Sequence, residues 1–104
     1  MSEFWQDRRV CVTGGDGFLG KVVVRKLRER GAQEIYVPIY PQIDLTKPED
    51  IDRVLEESQA DLIIHLAAQV GGIGANREHP AEFFYSNLMM GVQLMHKAWE
   101  RGVD

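Results

Sequence analysis

The sequence predicts an α/β protein with a Rossmann-like parallel sheet that carries helices on both faces. Three observations support this fold class. A short apolar run at residues 10–13 leads into a glycine-rich turn and then into a helical pattern. Strand-like and helix-like segments alternate along the chain, as they do in right-handed βαβ units. Residues 61–68, DLIIHLAA, form an almost unbroken apolar run, which is typical of a strand buried on both faces of a parallel sheet.

The composition is that of one folded domain. A chain of 104 residues has little room for a second domain, and 44% hydrophobic with 27% charged residues argues against disorder. The net charge of −4 disfavours nucleic-acid binding, because phosphate contacts need a basic face. With no apolar leader at the N-terminus and no bilayer-length apolar run, we expect a cytoplasmic protein without a membrane partner. Cys11, the single cysteine, is expected to be a buried apolar residue rather than a reactive thiol.

Glycines with the spacing G-x-x-G-x-x-G follow the first strand, in the run TGGDGFLG. Gly14 allows the backbone to turn sharply off the strand, Gly17 lets a diphosphate approach the main chain, and Gly20 lets the helix pack closely. The free N–H groups and the positive dipole end of the helix then face the anion. A purely structural turn is the alternative, but the strand before and the helix after favour a nucleotide-binding turn.

The segment after the second predicted strand bears on cofactor choice. The first helix is predicted to end near Arg30 with Gly31 beyond it, and the second strand covers residues 34–39. An NAD site would place an acidic residue at the end of that strand and an NADP site would place an arginine there. Residues 38–41, PIYP, offer neither, so the sequence leaves NAD and NADP open. Tyr40 can stack on an adenine ring, or it can simply pack at the rim.

The middle of the chain is predicted from capping and apolar spacing. Residues 43–45 are a candidate short strand. Thr46 and Glu49 have the spacing of a capping box that begins a helix ending near Ser58. His65, inside the apolar run, is interpreted as a satisfied core histidine, with a site residue as the alternative. Neither His79 nor His96 has ligand spacing, so no metal site is predicted.

Two later segments allow more than one interpretation. The glycine-rich loop at residues 69–79 either lets backbone approach a phosphate or only permits turns. The long helix that Pro80 opens and Gly102 stops has an apolar surface wider than one face. Part of that surface must cover the sheet, and the excess indicates either a partner helix or a broad core face.

Four runs of this chain, TGGDGFLG, DLIIHLAA, VGGIGAN and YSNLMMG, resemble in order the extended short-chain dehydrogenase/reductases, over essentially the whole length. The stretch from His65 to Asn76 is the specific part of the likeness. It points to the branch that epimerises and reduces GDP-4-keto-6-deoxy-D-mannose to GDP-L-fucose with NADP. The alternatives are another sugar-nucleotide epimerase or dehydratase, or a non-catalytic dinucleotide-binding module.

The resemblance also implies roles for named residues and a partner. The cofactor would be held by the turn and by the end of the buried strand, together with Tyr40: Gly14, Gly15, Asp16, Gly17, Phe18, Leu19, Gly20, Leu66, Ala67 and Ala68. The GDP-sugar substrate of the complete enzyme would be bordered by Val70, Gly71, Gly72 and Asn76. The helix from Pro80 would lie in or near a dimer-forming bundle, which makes a homodimer the expected assembly.

The catalytic residues of that family have no counterpart in these residues. The family uses a Tyr-x-x-x-Lys pair, and none of the three tyrosines here is followed by a lysine at that spacing. Members also generally carry basic residues after the second strand, where this chain has PIYP. The chain is therefore expected to be the N-terminal, cofactor-holding portion of such an enzyme, residues 1–104 forming an incomplete Rossmann domain without turnover of its own.

Overall fold

The computed structural model describes residues 3–68, 78 and 80–104. The elements in chain order are α1 (Glu3–Gln6), β1 (Arg9–Thr13), α2 (Phe18–Glu29), β2 (Glu34–Tyr36), α3 (Pro48–Ser58), β3 (Leu62–His65) and α4 (Pro80–Glu100). The three strands are parallel and lie in the order β2-β1-β3. β1 is thus the central strand, and the predicted Rossmann-like α/β class is confirmed.

Helices cover both faces of the central strand. Side chains alternate along a strand, so Val10 and Val12 face one side and Cys11 faces the other. The two valines pack with Val24 and Leu27 of α2. Cys11 lies in a second cluster with the apolar faces of α3 and α4, formed by Ile51, Val54, Leu55, Met90, Leu94 and Ala98. Burial raises the pKa of the Cys11 thiol to about 12, so it stays protonated and apolar, as predicted.

Helix α2 ends as predicted, in a Schellman motif at Gly31. Gly31 has a φ of 105°, which a residue with a side chain rarely adopts. Its N–H donates to the Arg28 carbonyl at 3.1 Å, and the Ala32 N–H donates to the Leu27 carbonyl at 2.9 Å. Ala32 and Leu27 are both buried, so the end of the helix is fixed by an apolar contact as well as by hydrogen bonds.

The structure corrects three predictions between β2 and α3. β2 ends at Tyr36 instead of residue 39, because Pro38 has no N–H to donate to β1. Residues 43–45 form no strand, since the Asp44 carboxylate accepts both the N–H and the hydroxyl of Thr46, at 3.0 and 2.7 Å. Thr46 is therefore unable to cap α3, and the capping box is wrong: the N-cap is Lys47, without a side-chain hydrogen bond.

Strand β3 is shorter and more exposed than predicted. It covers four residues, and its side chains are half-buried or exposed instead of buried on both faces. The cause is its place at the edge of the sheet that the structure describes, where it is followed by Asp104. There the Asp104 N–H donates to the Asp61 carbonyl at 3.3 Å, and the Asp104 carbonyl accepts from the Ile63 N–H at 2.7 Å.

The carboxyl ends of β1 and β3 are tied together by the side chain of Thr13, which is fully buried. Its hydroxyl oxygen accepts the N–H groups of Leu66 and Ala67, at 3.0 and 3.1 Å. A hydroxyl has two lone pairs and one hydrogen, so with both amides donating to the oxygen its hydrogen is directed to the third partner, Nδ1 of His65, at 2.6 Å. We therefore assign His65 the neutral form with its proton on Nε2. The prediction of a hydrogen-bonded histidine is confirmed, but its predicted burial is wrong, because the residue is exposed at the sheet edge.

This arrangement predicts a pH dependence of stability. Desolvation of the ring against β1 lowers the pKa of His65 below its ordinary value of 6.5. The unfolded chain binds this proton more readily than the folded chain. The contribution of His65 to the free energy of unfolding is therefore complete above pH 6.5 and is lost as the pH falls below 6.5.

We expect the free energy of unfolding, measured by urea titration, to fall more steeply from about pH 7 to about pH 5 in the wild type than in His65→Asn. The asparagine side-chain oxygen can still accept a hydrogen bond from the Thr13 hydroxyl, but asparagine does not titrate. Parallel pH profiles for the two proteins would contradict the assignment.

Candidate functional site

An open cavity of about 610 Å³ lies beyond the carboxyl ends of the strands. Its size is typical of small-molecule sites, and its position is the one where parallel α/β sheets hold ligands. Its wall comes from the turn after β1, the segments after β2 and β3, and one face of α4. The lining residues are Gly14, Asp16, Gly17, Phe18, Leu19, Gly20, Pro38, Tyr40, Ile43, Asp44, Leu45, Thr46, Leu66, Ala67, Ala68, Phe83 and Met90.

The structure brings nearly all the predicted cofactor residues to this cavity. The exception is Gly15, which is turned toward the sheet: a Cβ there would lie 2.9 Å from the methyl groups of Val37. The predicted substrate residues lie outside the described part of the chain; they are Val70, Gly71, Gly72 and Asn76.

The three glycines of the turn meet three different requirements. Gly14 has a φ of 72°, and a Cβ on it would lie 2.8 Å from the Ala67 amide nitrogen. A Cβ on Gly20 would overlap the Gly14 carbonyl oxygen, so Gly20 lets α2 pack against the turn itself. Among the described residues, a Cβ on Gly17 would meet just that same oxygen, at 3.4 Å, and Gly17 lines the cavity. Packing within the chain thus requires glycine at positions 14 and 20 but leaves position 17 open toward a ligand.

The first turn of α2 presents amides to the cavity. Gly17 is the N-cap, and it has no side chain with which to cap the helix. The Lys21 N–H makes the first bond of the helix, to the Gly17 carbonyl at 2.9 Å. The N–H groups of Phe18, Leu19 and Gly20 precede it and have no acceptor within the helix. No acidic residue lies within this turn, so the positive end of the helix dipole suits an anion.

Apolar side chains stand exposed at the mouth of the cavity. Phe18, in the turn region, is 95% exposed, Tyr40, after β2, is 68% exposed, and both line the cavity. Burying aromatic rings of this size is favourable, so large exposed rings beside a cavity are typical of a surface that a ligand covers.

Sequence reasoning missed the wall built by residues 43–46 and by α4. Ile43 and Leu45 are buried there, and the Asp44 carboxylate between them lines the cavity. The hydrogen bond from the Thr46 hydroxyl lowers the pKa of Asp44, so this carboxylate is ionised at neutral pH. The signal was an acidic residue between two apolar ones, just after residues 38–41, which already bear on cofactor choice. Phe83 and Met90 of α4 complete this wall, and no local motif marked them.

The remaining ionisable candidates do not gather into a second site. His96 is exposed and lies 3.5 Å from Glu100 on the same helix. His79 falls outside the described residues. The part of the chain that the structure describes contains no group of three side chains suited to a metal ion, and no helix in it is long and apolar enough to cross a bilayer.

Comparison with known proteins places these features in a family. The model of the NAD dependent epimerase/dehydratase family matches residues 10–104. The chain is 35% identical, over 95 residues, to GDP-L-fucose synthase 1 of Arabidopsis thaliana. That alignment covers 91% of this chain and 29% of the relative, so the chain spans less than a third of the relative's length.

Two solved structures with this fold each contain a nicotinamide dinucleotide. The NADP-bound GDP-L-fucose synthetase of Naegleria fowleri superposes with a TM-score of 0.78 at 28% identity, covering 94% of this chain and 30% of that one. The UDP-glucose 4-epimerase of Thermus thermophilus, in complex with NAD, gives a TM-score of 0.79 at 30% identity, covering 92% and 35%. Since the family model matches the chain from its central strand to its last residue, this protein belongs to the NAD dependent epimerase/dehydratase family.

Proposed function

We propose that this chain is the cofactor-binding, N-terminal part of an NADP-dependent nucleotide-sugar epimerase/reductase that makes GDP-L-fucose from GDP-4-keto-6-deoxy-D-mannose. The observation that carries the proposal is the turn after β1, where a helix N-terminus without a side-chain cap adjoins a glycine left open by packing. The similarity to the Arabidopsis synthase supports the choice of a GDP-sugar. NADP(H), when bound, supplies the hydride that reduces the keto sugar.

The diphosphate of the cofactor would be held by the amides of Phe18, Leu19 and Gly20. They are the first donors of α2, and together with the helix dipole they provide positive potential without a basic side chain. Gly17 would permit close approach, since its Cβ position is open on the cavity side. The exposed Phe18 ring would then be covered by the ligand or by a further segment of protein.

The adenine ring would lie between the segment after β2 and residues 43–46. Tyr40 and Pro38 supply flat apolar surface there, as do Ile43 and Leu45. The Asp44 carboxylate would accept a hydrogen bond from the exocyclic amine of the base. Positions 38–41 contain no acidic residue. Such a residue would hold the ribose 2′-OH of NAD and would repel the 2′-phosphate of NADP. Its absence is compatible with NADP, and NAD remains the alternative cofactor.

A UDP-linked sugar is the alternative to a GDP-linked sugar as the substrate. The similarity to a UDP-glucose 4-epimerase reaches 30% identity over 92% of this chain, which favours a UDP-sugar epimerase as the second candidate. Binding of GDP in preference to UDP by the complete enzyme would separate the two. A non-catalytic module would instead bind the cofactor and show no turnover even when a downstream segment is supplied.

The outward face of α4 supports a homodimer. The buried residues of α4 are Met90, Leu94 and Ala98, which pack in the core. A second stripe on this helix is apolar and exposed, each side chain by 49% or more: Phe84, Leu88, Val92, Met95 and Trp99. A contiguous apolar stripe of this length is typical of a protein interface, and we propose a second copy of this chain as the partner.

The glycines of the turn give a test of cofactor binding. Gly17→Ala should leave the melting temperature nearly unchanged and weaken NADPH binding by about tenfold, because the new methyl group enters the cavity. Gly91→Ala is the matched control, since a Cβ there meets no atom within 4 Å in the part of the chain that the structure describes. Gly20→Ala should lower stability by roughly 1–3 kcal/mol or more through its overlap with the turn. Equal affinities for NADPH, measured by fluorescence titration, in the Gly17→Ala variant and the wild type would contradict the proposed site.

The absence of a Tyr-x-x-x-Lys pair gives a second test. These residues alone should bind NADPH but should not oxidise it in the presence of GDP-4-keto-6-deoxy-D-mannose, because no acid/base pair protonates the substrate. The absorbance of NADPH followed over time is the measurement. Turnover by the 104-residue chain would overturn the division between cofactor-binding and catalytic parts.

The apolar stripe gives a third test. Met95→Glu should shift the dimer toward monomer in light scattering, because it places a charge in the stripe. Gln33→Glu makes the same charge change at an exposed position outside α4 and should leave the dimer intact. A wild-type chain that stays monomeric at high concentration would contradict the proposed dimer.

A further inference from the structure

The hydrogen bonds around Thr13 connect an exposed histidine to the floor of the cavity. We propose that His65 is a positioning residue: by accepting the Thr13 hydroxyl hydrogen at Nδ1, it keeps Thr13 oriented so that it holds the Ala67 amide, and this sets the gap between the glycine turn and the segment after β3. The proposal rests on the proposed function only in that the cavity takes a nicotinamide dinucleotide.

The first step is that all hydrogen-bonding capacity of Thr13 is used. The hydroxyl is fully buried, accepts two main-chain amides and donates to His65. If His65 offered no acceptor, the buried hydroxyl hydrogen would have no partner, which is costly. The side chain would then gain by rotating about χ1 toward another acceptor, and rotation would carry the oxygen away from the amides it holds.

The second step is that the two amides depend on Thr13 to different degrees. The Leu66 N–H also donates to the Thr13 carbonyl oxygen, with an N···O distance of 3.0 Å, so it keeps a main-chain acceptor if the hydroxyl moves. For the Ala67 N–H, the hydroxyl at 3.1 Å is the acceptor that the structure shows. The orientation of Thr13 therefore controls Ala67 more strongly than Leu66.

The third step is that Ala67 touches the glycine turn. The Cβ position of Gly14 lies 2.8 Å from the Ala67 nitrogen and 2.9 Å from the Leu66 carbonyl carbon, so the two main chains are in contact. Ala67 and Ala68 have small side chains, and the width of the cavity on this side is set by where their backbone lies. Loss of the hydrogen bond from the Ala67 N–H to the Thr13 hydroxyl frees this segment to move away from Gly14. Such a movement changes the width of the cavity.

His65 suits this role because its position in the sheet aligns it with Thr13. The two residues are paired in the parallel register of β1 and β3, and Leu66 follows His65 directly. The acceptor and the amides it organises therefore belong to one short segment, and a local change at His65 is transmitted through Thr13 back to the neighbouring residues.

The test uses two pairs of variants of the full 104-residue chain. His65→Asn and Thr13→Ser retain the acceptor and the hydroxyl, whereas His65→Leu and Thr13→Val remove them. In the absence of cofactor, hydrogen exchange followed by NMR should show the Ala67 amide exchanging at least about tenfold faster in His65→Leu than in the wild type, with a smaller change at Leu66 and near wild-type protection in His65→Asn. Similar protection of Ala67 in the leucine and asparagine variants would overturn the proposal, and because His65 is exposed this pair remains informative if Thr13→Val fails to fold.

Cofactor affinity provides a readout that a purely structural role would not move. The dissociation constant for NADPH, measured where each variant is fully folded, should rise about tenfold in His65→Leu and return close to the wild-type value in His65→Asn. Unchanged affinity in a folded His65→Leu variant would overturn the positioning role. If the wild type bound no NADPH while Ala67 exchange responded as stated, the proposed function would fail and the Thr13 linkage would stand.

Discussion

The contact between two main chains at Gly14 is the constraint on which the rest of the site depends. One chain is the turn that leaves β1, and the other is the segment that leaves β3, held by Thr13. They can touch only because Gly14 has no side chain and has a positive φ. Gly20 then seats the first turn of α2 on the Gly14 carbonyl, so the direction of that helix is fixed by the same contact.

A turn held by backbone packing fixes the orientation of the helix N-terminus that follows it. The amides at the start of α2 cannot be satisfied within the helix, and the N-cap residue Gly17 has no side chain to cap them. Because the turn is fixed by backbone packing, these donors are oriented before any ligand arrives, which lowers the ordering cost of binding. The side of the cavity formed by the start of α2 is therefore preorganised, while the aromatic rings of Phe18 and Tyr40 stay exposed.

Local signals in the sequence predicted structure where the pattern allows one local arrangement, but they did not decide between competing local hydrogen bonds or reveal contacts between distant residues. The end of α2 was predictable because Gly31 and its neighbours make the Schellman motif among themselves. The segment around Asp44 was not, because the hydrogen bonds between Asp44 and Thr46 replace both a strand and a helix cap that the residue pattern equally allows. The link from Thr13 to His65 joins residues 52 positions apart. It depends on the register of β1 against β3, which no single segment specifies.

The central claim is that the first amides of α2 receive the diphosphate of a nicotinamide dinucleotide. An NMR titration of the isotopically labelled chain with NADP⁺ tests it most directly, because it reports on each amide separately. The account predicts saturable shifts of the Phe18, Leu19 and Gly20 amide resonances, larger than those of the amides at the opposite, amino-terminal edge of the sheet. Saturable binding that leaves these three resonances unmoved, or no binding at all, would contradict it.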